Sequence, residues 1–595
     1  MVISQKKRNE IDEQYKWSLT NLFETDEKWS DEYERLTVEI PKIYDFKGSL
    51  GNVDNLLKCL ETTNGIEESM GRVYVYANMK LHEDGGNSKY QGFADKAESL
   101  VVRVSEATSF VEPEILDMDE SFLRDLLDND DRFVIYHHLF DNLLRMRAHV
   151  LSTEVEAILA SAGDMSEAMD NVYSMLCDAD MKFGIVKDEN GNDVELTHGR
   201  FLSLMESPDR DVRRNAHNAM YEQYNRHKNS ISTMYSHSVK KDLFYAKARR
   251  HPSCVDHSLF ERNIPKEVVN NLIKTVHEYL PHLHKYLKIR REALGLSDLQ
   301  PYDLYVPFVN DVNSTVEYSK AKETITTALA PLGGEYINIL KDAYDRGWID
   351  VYENAGKHSG AYSWGAFGCH PFVLMNYDNT INDMFTLAHE MGHALHSYYA
   401  WETQPYIYSG YSIFTAEVAS TVNETLLIDH LMKNAVDENQ KKYLTNHFIE
   451  GFRGTVFRQT MFAEFEMKTH ELVENGEALT VDLLCEIYAE LLKKYYGSEV
   501  VINDNIMMEW ARIPHFYNPF YVFQYATGYS AAIALSQKIL EKGEPAVKDY
   551  IDFLKSGGSG YSIDLLKKGG VDMSTPEPIR AALDVFKGLV DQLAE

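Results

Sequence analysis

Two histidines four residues apart bracket an acid in the run His389-Glu390-Met391-Gly392-His393. On a helix, side chains at i and i+4 leave the same face, so both imidazoles can close on one metal ion while Glu390 flanks it. The stretch from Asn382 to Tyr399 contains no proline, and Met384, Phe385, Leu387, Ala388, Met391, Ala394 and Leu395 give it a buried helical pattern. A second helical run from Phe414 to Glu424 offers Glu417 as third ligand, with Glu424 at i+7 on the same face. Glu424 is expected to accept the remaining ring N–H of a ligand histidine, fixing its tautomer and raising its basicity. Zinc held by two histidines and one carboxylate keeps a fourth position for water, lowers that water's pKa toward ~7 and polarises a carbonyl beside it. Glu390 stands where it can take the water's proton. Gly392 costs the helix about 1 kcal/mol relative to alanine, tolerable where a neighbouring backbone or a substrate must come close. His396 follows His393 by three residues and points about 60° off the ligand face on average helix geometry, so it is read as structural.

The segment from His515 to Tyr529 carries a different constellation, with Tyr521, Tyr525 and Tyr529 recurring every fourth residue after Pro519. On a helix these would form one stripe of phenols. Such a stripe either packs a core or presents donors to a developing oxyanion, and spacing leaves both open. Ahead of the histidine pair, Gly360 to Asn376 is rich in aromatic, small and β-favouring residues and reads as strand and turn. It is either an ordinary hairpin or an edge strand that pairs with the main chain of an extended substrate.

Four stretches together carry a resemblance: HEMGHALHSYY at 389–399, FTAEVASTVNETLL at 414–427, HFYNPFYVFQYATGYSAA at 515–532 and LKSGGSGYSIDLLKKGGVDM at 554–573. The chain resembles the oligoendopeptidase F group of the thimet oligopeptidase family of zinc metallopeptidases over nearly its whole length. The resemblance implies a mainly α protein, two helical lobes flanking a deep substrate channel, with a small β element beside the zinc helix. It implies one Zn2+ per chain on His389, His393 and Glu417, Glu390 as general base, and short unstructured oligopeptides as substrates, folded proteins being excluded by the channel's width. Carried onto these positions, it puts His515 against substrate, with Tyr525 and Tyr529 competing for the oxyanion role. Tyr521 and the Gly360, Ala361 and Tyr362 segment fall on the substrate-binding side. A zinc carboxypeptidase is the nearer rival reading, and a non-catalytic peptide-binding scaffold the more distant one.

At 595 residues the chain exceeds what one hydrophobic core usually serves. An Asn-Gly turn between β-prone runs, Phe183 to Leu196, reads as a hairpin and suggests an N-terminal helical lobe at 1–195 and a catalytic domain at 196–595. A formal charge of −32 argues against nucleic acid and anionic membranes and favours cationic peptides. Cys59, Cys177, Cys254, Cys369 and Cys485 are odd in number and form no CxxC, which suits free thiols in a reducing compartment. Lys6, Lys7 and Arg8 precede no apolar run, so no secretory signal is read. No run is long enough to span a membrane, and the expected location is cytoplasmic. Oligomeric state is left unspecified. The stretches 301–309 and 348–377 read as strand-like interruptions of a helical pattern, and Gly557 to Gly560 as a short flexible loop without a chemical role.

Overall fold

Capped helices carry most of the chain in the computed structural model, which describes residues 5–309 and 315–594. Those that matter for the site are α1 (Val53–Glu83), α2 (Ser88–Thr108), α3 (Arg210–Ala248), α4 (Lys266–Ala293), α5 (Ile381–Thr403), α6 (Ile413–Lys433), α7 (Arg458–Glu474), α8 (Val481–Tyr496) and α9 (Phe523–Lys542). Strands are two or three residues long: β1 (Ile185–Lys187), β2 (Asp193–Glu195), β3 (Ile349–Asp350), β4 (Tyr362–Trp364) and β5 (Phe372–Leu374). The fold is therefore mainly α, as the resemblance implies. Among the described residues, no helix is long and apolar enough to cross a membrane.

The chain packs into two compact units, Met1–Ala148, Ser314–His430 and Leu535–Val571 in the first, His149–Asn313, Leu431–Ala534 and Asp572–Glu595 in the second. Segments of the two units alternate along the chain. The Asn190-Gly191 hairpin forms as β1 against β2, inside the second unit and against α3. Its loop runs from Asp188 to Asn192, with Gly191 at φ +80° and the Asp188 carboxylate accepting from Asn190 N and Asn192 N at 2.9 and 2.8 Å.

The first unit's core gathers Trp29, Leu36, Val73, Phe133, Phe140, Phe372 and Leu374, all fully buried. Trp29 stacks on Phe93 at 3.9 Å and donates its indole N–H to Val73 O at 2.9 Å, so its one polar atom is satisfied. The three-stranded sheet has the order β3-β5-β4, β5 parallel to β3 and antiparallel to β4. Phe372 and Leu374 of β5 enter the core, while β4 is one of the two outer strands, with β3 the other. Asp350 of β3 is 1% exposed and held by Arg8 Nη1 at 2.7 Å and Lys357 Nζ at 2.8 Å. Two cations and one buried carboxylate thereby tie the N-terminal segment to the sheet.

In the second unit the reading of 301–309 as strand-like is corrected. Pro301–Asp303 is a single 3-10 turn followed by bends. The Asp303 carboxylate, 0% exposed, accepts from Gln300 N and from the Arg210 and Arg213 guanidinium groups, and Arg290 Nε donates to Asp303 O at 3.0 Å. Arg290 also donates to Val306 O and Arg453 to Leu304 O, so arginine side chains meet main-chain carbonyls that a neighbouring strand would otherwise pair.

Candidate metal centre and active site

Helix α5 opens on a capping box: Thr380 Oγ1 accepts from Asp383 N at 3.1 Å and Asp383 Oδ2 from Thr380 N at 2.9 Å. Its middle turns lie against α6 with almost no space. A Cβ at Gly392 would stand 2.5 Å from Ser420 Cα and 2.6 Å from Ala419 O, so only glycine permits the approach. The neighbouring backbone, not a substrate, is what Gly392 admits. Asn423 locks the pair, donating from Nδ2 to Ala388 O at 3.0 Å and accepting from Tyr336 OH at 2.9 Å.

That approach brings His389, His393 and Glu417 together, and they are the one cluster of potential metal ligands among the described residues. The two Nε2 atoms are 3.2 Å apart, and Glu417 Oε2 is 3.4 Å from the first and 3.6 Å from the second. A tetrahedral ion with ligand bonds of roughly 2.0–2.2 Å needs its ligand atoms about 3.3–3.6 Å apart. The triangle is the face of such a tetrahedron. Two imidazole nitrogens and a carboxylate oxygen converging in this way repel unless a cation or shared proton joins them, so the donor set fits a divalent metal. His389 Nδ1 meets Glu424 Oε1 at 3.0 Å, which fixes the ring with Nε2 turned to the triangle. Ser420 Oγ donates to Glu417 Oε2 at 3.2 Å and orients the carboxylate. Burial alone would raise the Glu417 carboxyl, but the hydrogen bond to His389 and the charges of both histidines hold it down to about 2.

Glu390 is 8% exposed, and burial pushes its carboxyl up to about 7, opposed by His389 and reinforced by Glu417 and Glu424. A main-chain hydrogen bond from Ser363 ties it to β4. That outer strand therefore lies beside the acid, and it follows Gly360, which is exposed with φ +80°, and half-buried Ala361. Gly360 O accepts from Asn376 Nδ2 at 2.8 Å. The Tyr362 hydroxyl is engaged by His82 Nδ1 at 2.7 Å and its ring packs near Trp17, so what this strand can present to a ligand is main chain. His396, read as structural, is 1% exposed and stacks on Tyr411 with ring centroids 3.8 Å apart, away from the triangle.

In the second unit, His515 lies in the 3-10 turn Pro514–Tyr517 and stacks on Tyr521 at 6.0 Å, with Tyr525 edge-on to both at 5.9 and 5.4 Å. The hydroxyls of Tyr525 and Tyr521 are 3.5 Å apart. Tyr521 precedes α9 rather than standing on it, which corrects the picture of a purely helical stripe. Tyr521, Tyr525 and Tyr529 are all half-buried, while Val522, Phe523, Ala526 and Thr527 between them are buried. The phenols thus face away from the core. The Tyr529 ring is edge-on to Phe452 at 5.1 Å, and its hydroxyl sits where a Cβ on Gly451 would be 2.7 Å away.

Ser420, Asn423, Tyr411 and the Ser363 main chain escaped the sequence reading. Ser420 had one signal, its position three residues after Glu417 on the same helix. The others act from tertiary contacts that no spacing announces. The stretch Gly557 to Gly560 also proves to be close-packed: a Cβ at Gly557 would lie 2.3 Å from Tyr408 O, and Gly558 N donates to that oxygen at 2.9 Å. It braces the connection between α5 and α6.

Comparison with known proteins is concordant. The family model for peptidase family M3 matches residues 203–585, and that for oligopeptidase F matches 114–183. Oligopeptidase PepF of Bacillus subtilis is 47% identical over 99% of this chain and 88% of its own length. Group B oligopeptidase PepB of Streptococcus agalactiae is 42% identical over 98% of this chain and 96% of its own. The crystal structure of oligoendopeptidase-F from Enterococcus faecium superposes with a TM-score of 0.75 at 35% identity, covering 96% of this chain and 98% of that one. A solved chain from Chlamydophila abortus reaches 0.93 at 34% identity, covering 99% and 100%. With the His-His-Glu triangle in place and a family match over most of its length, the chain belongs to peptidase family M3, the thimet oligopeptidase family of metallopeptidases, and to its oligopeptidase F group.

Proposed function

We propose that the chain is a zinc-dependent endopeptidase that hydrolyses internal bonds of short, unstructured oligopeptides. The observation that carries this reading is the triangle of His389, His393 and Glu417, with edges of 3.2, 3.4 and 3.6 Å, on the helix that also carries Glu390. Zinc bound there supplies a Lewis acid that polarises the scissile carbonyl and makes water nucleophilic near neutral pH. Glu390, buried and beside the triangle, takes a proton from the attacking water and returns it to the leaving amine. Glu424 keeps the His389 ring in its ligating tautomer. The main chain of Gly360 to Tyr362 pairs with the extended substrate, which reads any sequence through backbone hydrogen bonds. His515 and Tyr521 contact substrate, and Tyr525 and Tyr529 supply hydroxyl donors to the oxyanion.

The names oligopeptidase and oligoendopeptidase carried by the relatives support the substrate class. The formal charge of −32 favours cationic peptides over nucleic acid, and five free cysteines suit a reducing, cytoplasmic setting. Internally quenched peptides blocked at both ends test the reading, because an enzyme that trims single residues from a terminus cannot open them. Cleavage at internal bonds, lost on chelation and regained with zinc, is the expected result. Failure to cut blocked peptides while free termini are trimmed would replace it with a carboxypeptidase. Chelator-resistant peptide binding without cleavage would replace it with a scaffold.

A further inference from the structure

Phe520 has a left-handed backbone, φ +54°, which is costly for a residue with a bulky side chain. Such a conformation persists only where its surroundings impose it. Here three contacts do so, all within the second unit. Phe520 N donates to Glu466 Oε1 at 3.0 Å. The preceding carbonyl, Pro519 O, accepts from Ser258 Oγ at 3.0 Å, and Ser258 Oγ is itself held by Arg262 Nη1 at 3.0 Å. The Phe520 ring packs on His470 at 4.6 Å, and His470 is anchored to Asp242 Oδ2 at 3.1 Å.

Glu466 is an unusual residue to find in that place. It is 0% exposed on α7, and its second oxygen, Oε2, has no hydrogen-bond partner. A buried carboxyl with half its capacity unused costs stability, so its presence calls for a return elsewhere. Burial pushes its carboxyl well above the usual range, with the Phe520 N–H opposing and Asp242 reinforcing. The return is the turn itself. Residues 518–522 lead the chain from His515 to the start of α9, and the left-handed residue at their centre is what folds Tyr521 back onto His515 with Tyr525 alongside.

We propose that Glu466 is a positioning residue: through the Phe520 N–H it holds the strained turn that assembles His515, Tyr521 and Tyr525 into one cluster. The proposal rests on the reading of that cluster as the substrate and oxyanion side of the reaction. Glu466 touches neither substrate nor metal and acts only through the turn.

Steady-state kinetics on a blocked quenched peptide, with the full chain loaded with zinc, test it. Glu466→Ala should lower kcat tenfold or more while KM moves less than threefold and zinc stays at one per chain. Glu466→Gln, which keeps an acceptor oxygen, should stay within about threefold of the parent kcat. The decisive arm is a double mutant with Tyr525→Phe. If Glu466 works through the cluster, its removal should cost little once the Tyr525 hydroxyl is gone, so the two losses should not multiply. Losses that multiply fully, or a folded Glu466→Ala with unchanged kcat, overturn the proposal. If Glu466→Ala does not unfold cooperatively, Ser258→Ala, which releases only Pro519 O, takes its place. A kcat loss that fails to multiply with Tyr525→Phe supports the clamp, and an unchanged kcat overturns it. Should His515→Ala and Tyr525→Phe themselves leave kcat untouched, the underlying reading of the cluster has failed, and the positioning role falls with it.

Discussion

The triangle on α5 and α6 and the phenol cluster before α9 are built in opposite ways. In the first, the spacing of the groups is a property of the helix: His389 and His393 share a face because i and i+4 always do, and a glycine brings Glu417 within reach. In the second, a bend between a 3-10 turn and a helix stacks His515 on Tyr521, and the bend depends on a left-handed phenylalanine gripped from other elements. A site made from regular geometry is rigid by default, whereas one made from a strained turn is only as well placed as its clamps.

The contrast is most easily broken at Glu390. Replacing it by glutamine keeps shape and burial but removes the proton acceptor, so kcat should fall by about 10²–10⁴ with the metal retained. Single-turnover rates and metal content on one preparation check this, and a variant of near-normal rate would take Glu390 out of the chemistry. In the other region, Tyr525→Phe should cost about 10²–10³ in kcat if its hydroxyl is the principal oxyanion donor. Tyr529→Phe should cost less, because Tyr525 is the phenol packed with His515 and Tyr521, whereas the Tyr529 ring packs on Phe452 and its hydroxyl lies beside Gly451. Equal losses from the two would dissolve the distinction between the phenol packed on His515 and the one packed on Phe452.

Legibility follows the same division. The pattern of Met384, Leu387, Met391 and Leu395 is periodic over a long proline-free run, so α5, the face shared by His389 and His393 and the turn of His396 away from that face are all legible in the sequence. Glu417 was legible because a carboxylate among Ala416, Val418 and Ala419 needs a partner. The partial exposure of the tyrosine stripe was not, since a period of four fits a buried face equally well. Nor was the 3-10 turn at Pro301–Asp303, where Arg290 and Arg453 meet the main-chain carbonyls of Asp303, Leu304 and Val306 in place of a strand neighbour. The alternation of the two units' segments along the chain also lies beyond a linear reading, because chain order carries no record of which helices return to the first core.

Gly392 sharpens the comparison from the side of stability. Alanine there would set a Cβ 2.5 Å from Ser420 Cα, and backbone on both sides leaves no flexible group to give way. The helices must part, at a cost of about 1–3 kcal/mol. Glu417 lies one turn from Ser420, so the same displacement should weaken zinc retention. Thermal denaturation and competition with a metal-binding dye measure the two effects, which should appear together. An unchanged melting temperature with unchanged zinc affinity would mean that the close approach is not what orders the triangle.

The smallest expected effects separate two carboxyls on α7. Glu464 and Glu466 are two residues apart and shift in opposite directions. Burial alone would raise Glu464, but His277 Nε2 at 2.8 Å and Lys494 Nζ at 2.9 Å bring it down from 4.5 to about 2. Its stabilising contribution is therefore complete above pH 4.5 and drains away as pH falls toward 2. Glu466 is pushed upward, so its contribution is complete below the unfolded value and declines as pH rises above it. Urea denaturation across pH should show Glu464→Gln flattening the acid limb by something on the order of 1 kcal/mol, and Glu466→Gln gaining on the parent as pH rises above the unfolded carboxyl value. Parallel curves for both variants and the parent would mean that the two carboxyls share one environment. In that case Glu466 would be a solvated acid, without the burial that makes its grip on Phe520 informative.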